Sequence, residues 1–250
     1  MGEALIAALI KSGQSPAQIE IIEKRADRIA ELSNKYGIKG GQTLSESKVL
    51  LLVVKPQDLE ALLTEIKGKI SAETLVISFV AGKRIEKISA GIGGQNPVVR
   101  VMPNTPTLVG KGAAGYSFGS GVTDEQRTFV TDLLNTSGIA VEVAEELQDA
   151  VTATSGSGPA YLFAFVEAMI NGAKSLGLTE EVATKLTVQT MIGAAELLQS
   201  TGKNPATLRE NVTSPNGTTF AALQSLSTND LNKMVADAMK AARDRSIELS

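Results

Sequence analysis

The chain has 250 residues, 43% hydrophobic and 20% charged, a composition that supports one large or two ordinary folded domains and argues against disorder. A formal net charge of −3 leaves no basic footprint for nucleic acid, and no apolar run reaches the roughly 18 residues that would mark a membrane span. Cysteine and histidine are both absent, which excludes disulfides, thiolate nucleophiles, Ser-His-Asp triads and histidine-ligated zinc; no metal site is expected, and catalysis falls to hydroxyls, carboxylates, lysines, backbone dipoles or a borrowed cofactor.

The opening MGEALIAALIKSG lacks a basic leader, carries Glu3 and is too short for a signal sequence, so it reads as the start of a helix and a cytoplasmic setting is expected. From there the chain alternates short β-branched runs with helical segments, the pattern of a parallel sheet covered on both faces. IEII is followed by the helix-like ADRIAELSNKYG. KVLLLVV stops at Pro56, TLVISFV at Ala81 and Gly82, and PVVRVMP at Pro103. These middle runs are nearly continuous in apolar character, as strands buried on both faces are. GAAGYSFG and GIAVEV add two weaker strands around the helix TDEQRTFVTDLLNTSG.

After about Glu146 the strand signal ends and helical periodicity takes over, so residues 1–146 are expected to form a Rossmann-like dinucleotide-binding domain and 147–250 an all-helical one. ELQDAVTATSGSGPAYLFAFVEAMINGAKSLG has a helical pattern interrupted by Gly156, Gly158 and Pro159, which predict a kink or break. Thr179 is a plausible N-cap for the next helix and Gly202 its stop. Gly172, Ala173, Gly193, Ala194 and Ala195 are small residues inside helices, suited to close helix packing within the chain or across a subunit boundary.

A doubly wound sheet binds its ligand beyond the carboxyl ends of its strands, so VVKP, FVAG and VMPNTP are the stretches to inspect. Each ends on a Pro or Gly that turns the chain sharply and leaves backbone groups facing a crevice. After IEII come Glu23, which suits the ribose of NAD, and then Lys24 and Arg25, which suit the 2′-phosphate of NADP; the residues alone leave both readings open. In the helical half, NVTSPNGTTF places hydroxyls, a Pro, a Gly and αL-tolerant Asn216 at a helix entrance. Turn chemistry and capping account for much of this. The same arrangement also presents free N–H groups beside hydroxyls, as a carboxylate or phosphate site does.

With VVKP, VMPNTP, SGSGPAY and NVTSPNGTT in this order and at these distances, the chain resembles the pyrroline-5-carboxylate reductases nearly end to end. The resemblance implies a Rossmann-like doubly wound parallel sheet followed by an all-helical dimerisation domain. It also implies reduction of the C=N bond of 1-pyrroline-5-carboxylate to L-proline with NADPH, NADH being the other candidate, in a dimer or a ring of dimers. The family begins with a strand and a glycine-rich phosphate loop roughly ten residues upstream, of which Met1 and Gly2 are the expected remainder, so the first strand is expected to be missing from this chain. Gly40 stands where the family often has an Asn near the adenine, and Asn216 where it usually has a second Gly.

The cofactor contacts implied are Met1 and Gly2 at the pyrophosphate, Lys24 and Arg25 at the 2′-phosphate, Val53, Val54, Lys55 and Pro56 along the ribose and phosphates, and Val80, Ala81, Gly82, Met102, Pro103 and Asn104 around the nicotinamide. For the substrate, N–H groups of Gly217, Thr218 and Thr219 hold the carboxylate, Ser214 fixes the loop, and the Thr219 hydroxyl, the one catalytic side chain implied, meets the ring nitrogen. Two readings compete: a reductase of the 3-hydroxyacid dehydrogenase type, for which Lys174 and Lys185 are the available lysines, and a degenerate dimer that binds no cofactor.

Overall fold

A computed structural model describes residues 1–249. The chain packs as two compact units, residues 1–157 with 242–249 forming the first and residues 158–241 the second. The first compact unit thus extends past residue 146. Gln148, Asp149 and Ala153 are buried, and their burial ties the start of the helical half to the first unit.

The first unit opens with α1 (Gly2–Lys11), β1 (Glu20–Ile22), α2 (Ala26–Tyr36) and β2 (Lys39–Gly41). β1 and β2 pair in parallel as a sheet of their own, with no ladder bonds to the strands that follow. β2 is the sequence KGG, which carries no strand signal because glycine is depleted in strands. Gly40 leaves the space that Ile29 of α2 fills. Ile6 of α1, Ile19, Leu32 of α2 and Ile38 close a small core here. Glu3 of α1 adds a polar tie, accepting from Arg28 at 2.5 Å, Lys35 at 2.9 Å and Tyr36 at 3.1 Å, all on α2.

The main sheet runs in the order β3 (Val49–Leu52), β4 (Leu75–Ser78), β5 (Val98–Met102), β6 (Gly112–Phe118), β7 (Gly138–Glu142). β3, β4 and β5 are parallel, with α3 (Leu59–Ile66) and α4 (Ile85–Ile92) as their crossovers. β6 turns back antiparallel to β5, because the connector 103–111 is too short to carry a crossover, and β7 returns parallel to β6 after α5 (Asp124–Asn135). Strand alternation sends Leu75, Ile77, Phe79, Val99 and Val101 to one face, against Leu5 of α1 and Val130 and Leu134 of α5. Val76, Val80 and Val98 go to the other face, against Leu59 and Leu63 of α3 and Ile88 and Ile92 of α4. Each aliphatic side chain so buried contributes about 1.5–3 kcal/mol.

α6 (Gln148–Val151) passes through a π turn over Thr152–Gly156, and α7 (Gly158–Ser175) opens the second unit. The break expected around Gly156 and Pro159 is this π turn. Pro159 has no N–H to offer the carbonyl of Ser155, and that carbonyl accepts instead from the Asn104 amide at 3.1 Å. The second unit continues with α8 (Glu180–Thr201), α9 (Pro205–Asn211), α10 (Thr218–Thr228) and α11 (Leu231–Glu248), the last turns of which belong to the first unit. Thr179 caps α8 through the Val182 N–H, and Gly202 closes it in the left-handed region at φ 60°. α7 and α10 bury none of their residues within the chain.

Candidate active site

In the first unit the candidate residues collect at the carboxyl ends of β3, β4 and β5. α1 begins at Gly2 with Met1 as an N-cap that supplies no side-chain acceptor, leaving its first-turn N–H groups open. Gly2 lies beside the end of β3, where an added Cβ would stand 3.9 Å from Val53 Cγ1. Val53 and Val54 are half-buried, Lys55 is exposed, and Pro56 starts a short 3-10 turn. These groups fit a dinucleotide, because an uncapped helix start beside a parallel-strand end is where a pyrophosphate binds.

The other strand ends are more constrained than the sequence indicates. Val80 is 1% exposed and its side chain lies in the core, so only its backbone can meet a ligand. Gly82 has φ 72°, and an added Cβ would stand 3.2 Å from Leu249 Cβ and 3.4 Å from the Ser246 carbonyl. It is glycine because the end of α11 presses on it. Asn104 is buried with its side chain fully engaged, donating to Ser155 O and accepting from the Ala113 N–H at 2.9 Å. Met102 packs against Gly156. The SGSG motif thus braces the end of β5.

Of the two basic residues after β1, Lys24 is exposed and has no partner among the described residues. Arg25 is engaged: its guanidinium donates to both Asp27 carboxylate oxygens, at 3.3 and 2.9 Å, and its N–H donates to Glu23 Oε1 at 3.1 Å. The Arg25 guanidinium holds the Asp27 carboxyl below its usual range. Of the two, Lys24 is the cation without a carboxylate partner among the described residues.

In the second unit, residues 214–217 form a turn in which the Gly217 N–H donates to the Ser214 carbonyl at 3.1 Å. Pro215 takes its second position and Asn216, at φ 55°, its third, where a type II turn requires positive φ. Asn216 does here what glycine does elsewhere. The expected donation of the Gly217 N–H to a carboxylate is corrected by this bond, since that hydrogen is already used. Gly217 serves by lacking a Cβ, which would collide with Ser214 Oγ.

Gly217 is also the N-cap of α10 and offers no side-chain acceptor, so the first-turn N–H groups of Thr218 and Thr219 remain open. Of the four hydroxyls in NVTSPNGTT, Thr213 donates back to the Arg209 carbonyl at 2.6 Å. Those of Ser214, Thr218 and Thr219 have no partner among the described residues. Lys174 and Lys185, the lysines of the competing dehydrogenase reading, pair with Glu180 at 2.9 Å and Glu181 at 2.7 Å.

One polar cluster escaped the sequence reading. Arg100, on β5, is 2% exposed and lies 3.5 Å from Asp149 and 3.6 Å from Glu145. Glu145 also accepts from the Ile85 N–H at 2.6 Å, and Asp149 from the Ser246 hydroxyl at 2.7 Å. The available signal was a lone arginine inside PVVRVMP followed by the acidic EELQD.

A doubly covered Rossmann sheet with open strand ends, carried in one chain with a helical unit that presents a hydroxyl-lined helix start, defines a nicotinamide-dinucleotide oxidoreductase. Residues 1–82 match the family model described as NADP oxidoreductase, coenzyme F420-dependent, and residues 145–249 the one described as pyrroline-5-carboxylate reductase dimerisation. The pyrroline-5-carboxylate reductase of Corynebacterium melassecola is 43% identical over all of this chain and 95% of its own. The solved structure of a pyrroline-5-carboxylate reductase from Coxiella burnetii superposes with a TM-score of 0.93 at 33% identity, over 100% of this chain and 94% of that one. A Plasmodium falciparum pyrroline carboxylate reductase solved with NADP bound superposes at 0.87 with 29% identity, over 100% and 94%. The chain belongs to the pyrroline-5-carboxylate reductase family.

Proposed function

We propose that this protein reduces the C=N bond of 1-pyrroline-5-carboxylate to L-proline with NADPH, NADH being the other candidate, as the last step of proline biosynthesis, in the cytoplasm. The observation that carries the reading is the loop 214–219, whose Ser214, Thr218 and Thr219 hydroxyls are unpartnered beside the open N–H groups of α10. A carboxylate fits the Thr218 and Thr219 N–H groups, helped by the positive end of the α10 dipole. The Thr219 hydroxyl accepts from the N–H of the protonated imine. The reduced dinucleotide, when bound, supplies the hydride; the C=N electron pair passes to nitrogen as the new C–H bond forms, so no side-chain acid is needed and positioning carries the catalysis.

Residues 1–146 hold the dinucleotide in this reading, through Gly2, Lys24 and the backbone at residues 53–56, 80–82 and 102–104, while residues 147–250 hold the substrate and a second copy. The homo-oligomer is a dimer or a ring of dimers built on the helices. In support, among the described residues no other part of the chain lies within 4 Å of where a Cβ would stand on Gly172 or Gly193. The test is NADPH oxidation with synthetic 1-pyrroline-5-carboxylate and chromatographic detection of L-proline. Binding of NADPH without proline formation would contradict the proposal.

A further inference from the structure

The end of α11 touches the carboxyl end of β4 through interactions that the reductase reading leaves without a role. Ser246 is buried and its hydroxyl donates to Asp149, itself buried against Arg100. Lys83 Nζ donates to the Leu249 carbonyl at 2.6 Å, and Leu249 Cβ stands over the space where Gly82 would carry a side chain. Three contacts thus join residues 246–249 to residues 82 and 83 and to the floor beneath them. A left-handed glycine adjoining an open strand end has many accessible conformations, and packing is what selects one.

We propose that Ser246 is a positioning residue for the dinucleotide: by anchoring the last turn of α11 to Asp149, it seats Leu249 against Gly82 and fixes the backbone of residues 80–82 in its binding conformation. Ser246 touches no ligand and acts through Gly82. The inference rests on the reading of residues 80–82 as a cofactor contact.

The test is direct titration of NADPH fluorescence with the full chain, alongside thermal melts and the KM for 1-pyrroline-5-carboxylate at saturating NADPH. Ser246→Ala is expected to raise the NADPH Kd about fivefold and Leu249→Gly about threefold, with the substrate KM within about twofold of wild type. A merely structural role would lower the melting temperature and leave the Kd of the folded protein unchanged. Ala81→Leu, which crowds the strand end directly, separates the two claims. If it weakens NADPH while both tail variants bind as wild type, the positioning role is overturned and the strand-end reading stands. If Ala81→Leu leaves the Kd unchanged, both fall. Should Ser246→Ala fail to fold, Leu249→Gly decides, because Leu249 is 41% exposed and belongs to none of the buried core clusters.

Discussion

Within residues 1–157 the aliphatic side chains of β3, β4 and β5 are covered on both faces of the sheet, whereas α7 and α10 bury none of theirs, and Phe163, Leu176 and Leu186 stand 68%, 87% and 57% exposed. Both regions are rich in apolar residues in sequence. Among the described residues, the clusters of buried hydrophobic side chains all lie in the first. An exposed apolar surface this extensive is unstable in water alone, so the helical unit is read as half of a core that a second copy completes.

The sharpest way to break that comparison is to place a charge on each kind of exposed apolar residue. Phe163→Asp on α7 is expected to abolish the dimer in sedimentation experiments and to lower the melting temperature by about 10 °C. Leu108→Asp, equally exposed but in the first unit, should change stability by no more than about 0.5 kcal/mol. Survival of the Phe163→Asp dimer would refute the reading of the helical unit.

The two units also differ in how they use ion pairs. Asp149→Ala removes one of the two carboxylates beside the buried Arg100 charge, leaving Glu145 alone, and should cost about 3 kcal/mol in denaturant unfolding. Lys174→Ala breaks an exposed pair in the second unit and should cost less than about 1 kcal/mol. Equal costs would mean that the Arg100 cluster is not sealed from water.

At the cofactor edge of the first unit, Lys24→Ala should weaken NADPH about tenfold and leave NADH unchanged in fluorescence titrations. Arg25→Ala should have the smaller effect, since Asp27 already holds that guanidinium. The reverse order would show that the Asp27 pair yields to the phosphate.

The smallest effect concerns acid stability. Hydrogen bonds from Lys35, Arg28 and Tyr36 hold the Glu3 carboxyl at about 2, below its ordinary 4.5. A lowered folded-state pKa stabilises above the unfolded value and is lost as the pH falls, so this contribution is whole above pH 4.5 and disappears toward pH 2. Glu3→Gln should flatten the pH dependence of the melting temperature across that window. An unchanged slope would show that the tie between α1 and α2 contributes nothing to stability.

Much of the fold was legible because burial on two faces leaves a continuous apolar run, and β3, β4 and β5 were found by that signal. β2 was not, since KGG pairs by backbone alone. The antiparallel return of β6 depends on connector length rather than on the residues of the strand. In the site, Asn216 was read correctly as a left-handed residue from its own chemistry. The engagement of the Gly217 N–H, the contact of Leu249 with Gly82 and the clasp of Asn104 on Ser155 all join groups whose meeting only the folded chain displays.

The central claim is that the hydroxyl of Thr219 serves imine reduction, and one measurement tests it most directly: steady-state turnover of 1-pyrroline-5-carboxylate by Thr219→Val at saturating NADPH, with Thr218→Val as the internal control. Losing a hydrogen bond aimed at the reacting centre costs about 2–4 kcal/mol, so kcat should fall roughly 30-fold to several hundred-fold while NADPH binding and the melting temperature stay as in the wild type. Thr218→Val keeps its backbone N–H and should lose much less. If Thr219→Val turns over like the wild type, the hydroxyl takes no part in the reaction, and the stretch NVTSPNGTT is a capped turn that offers backbone donors alone.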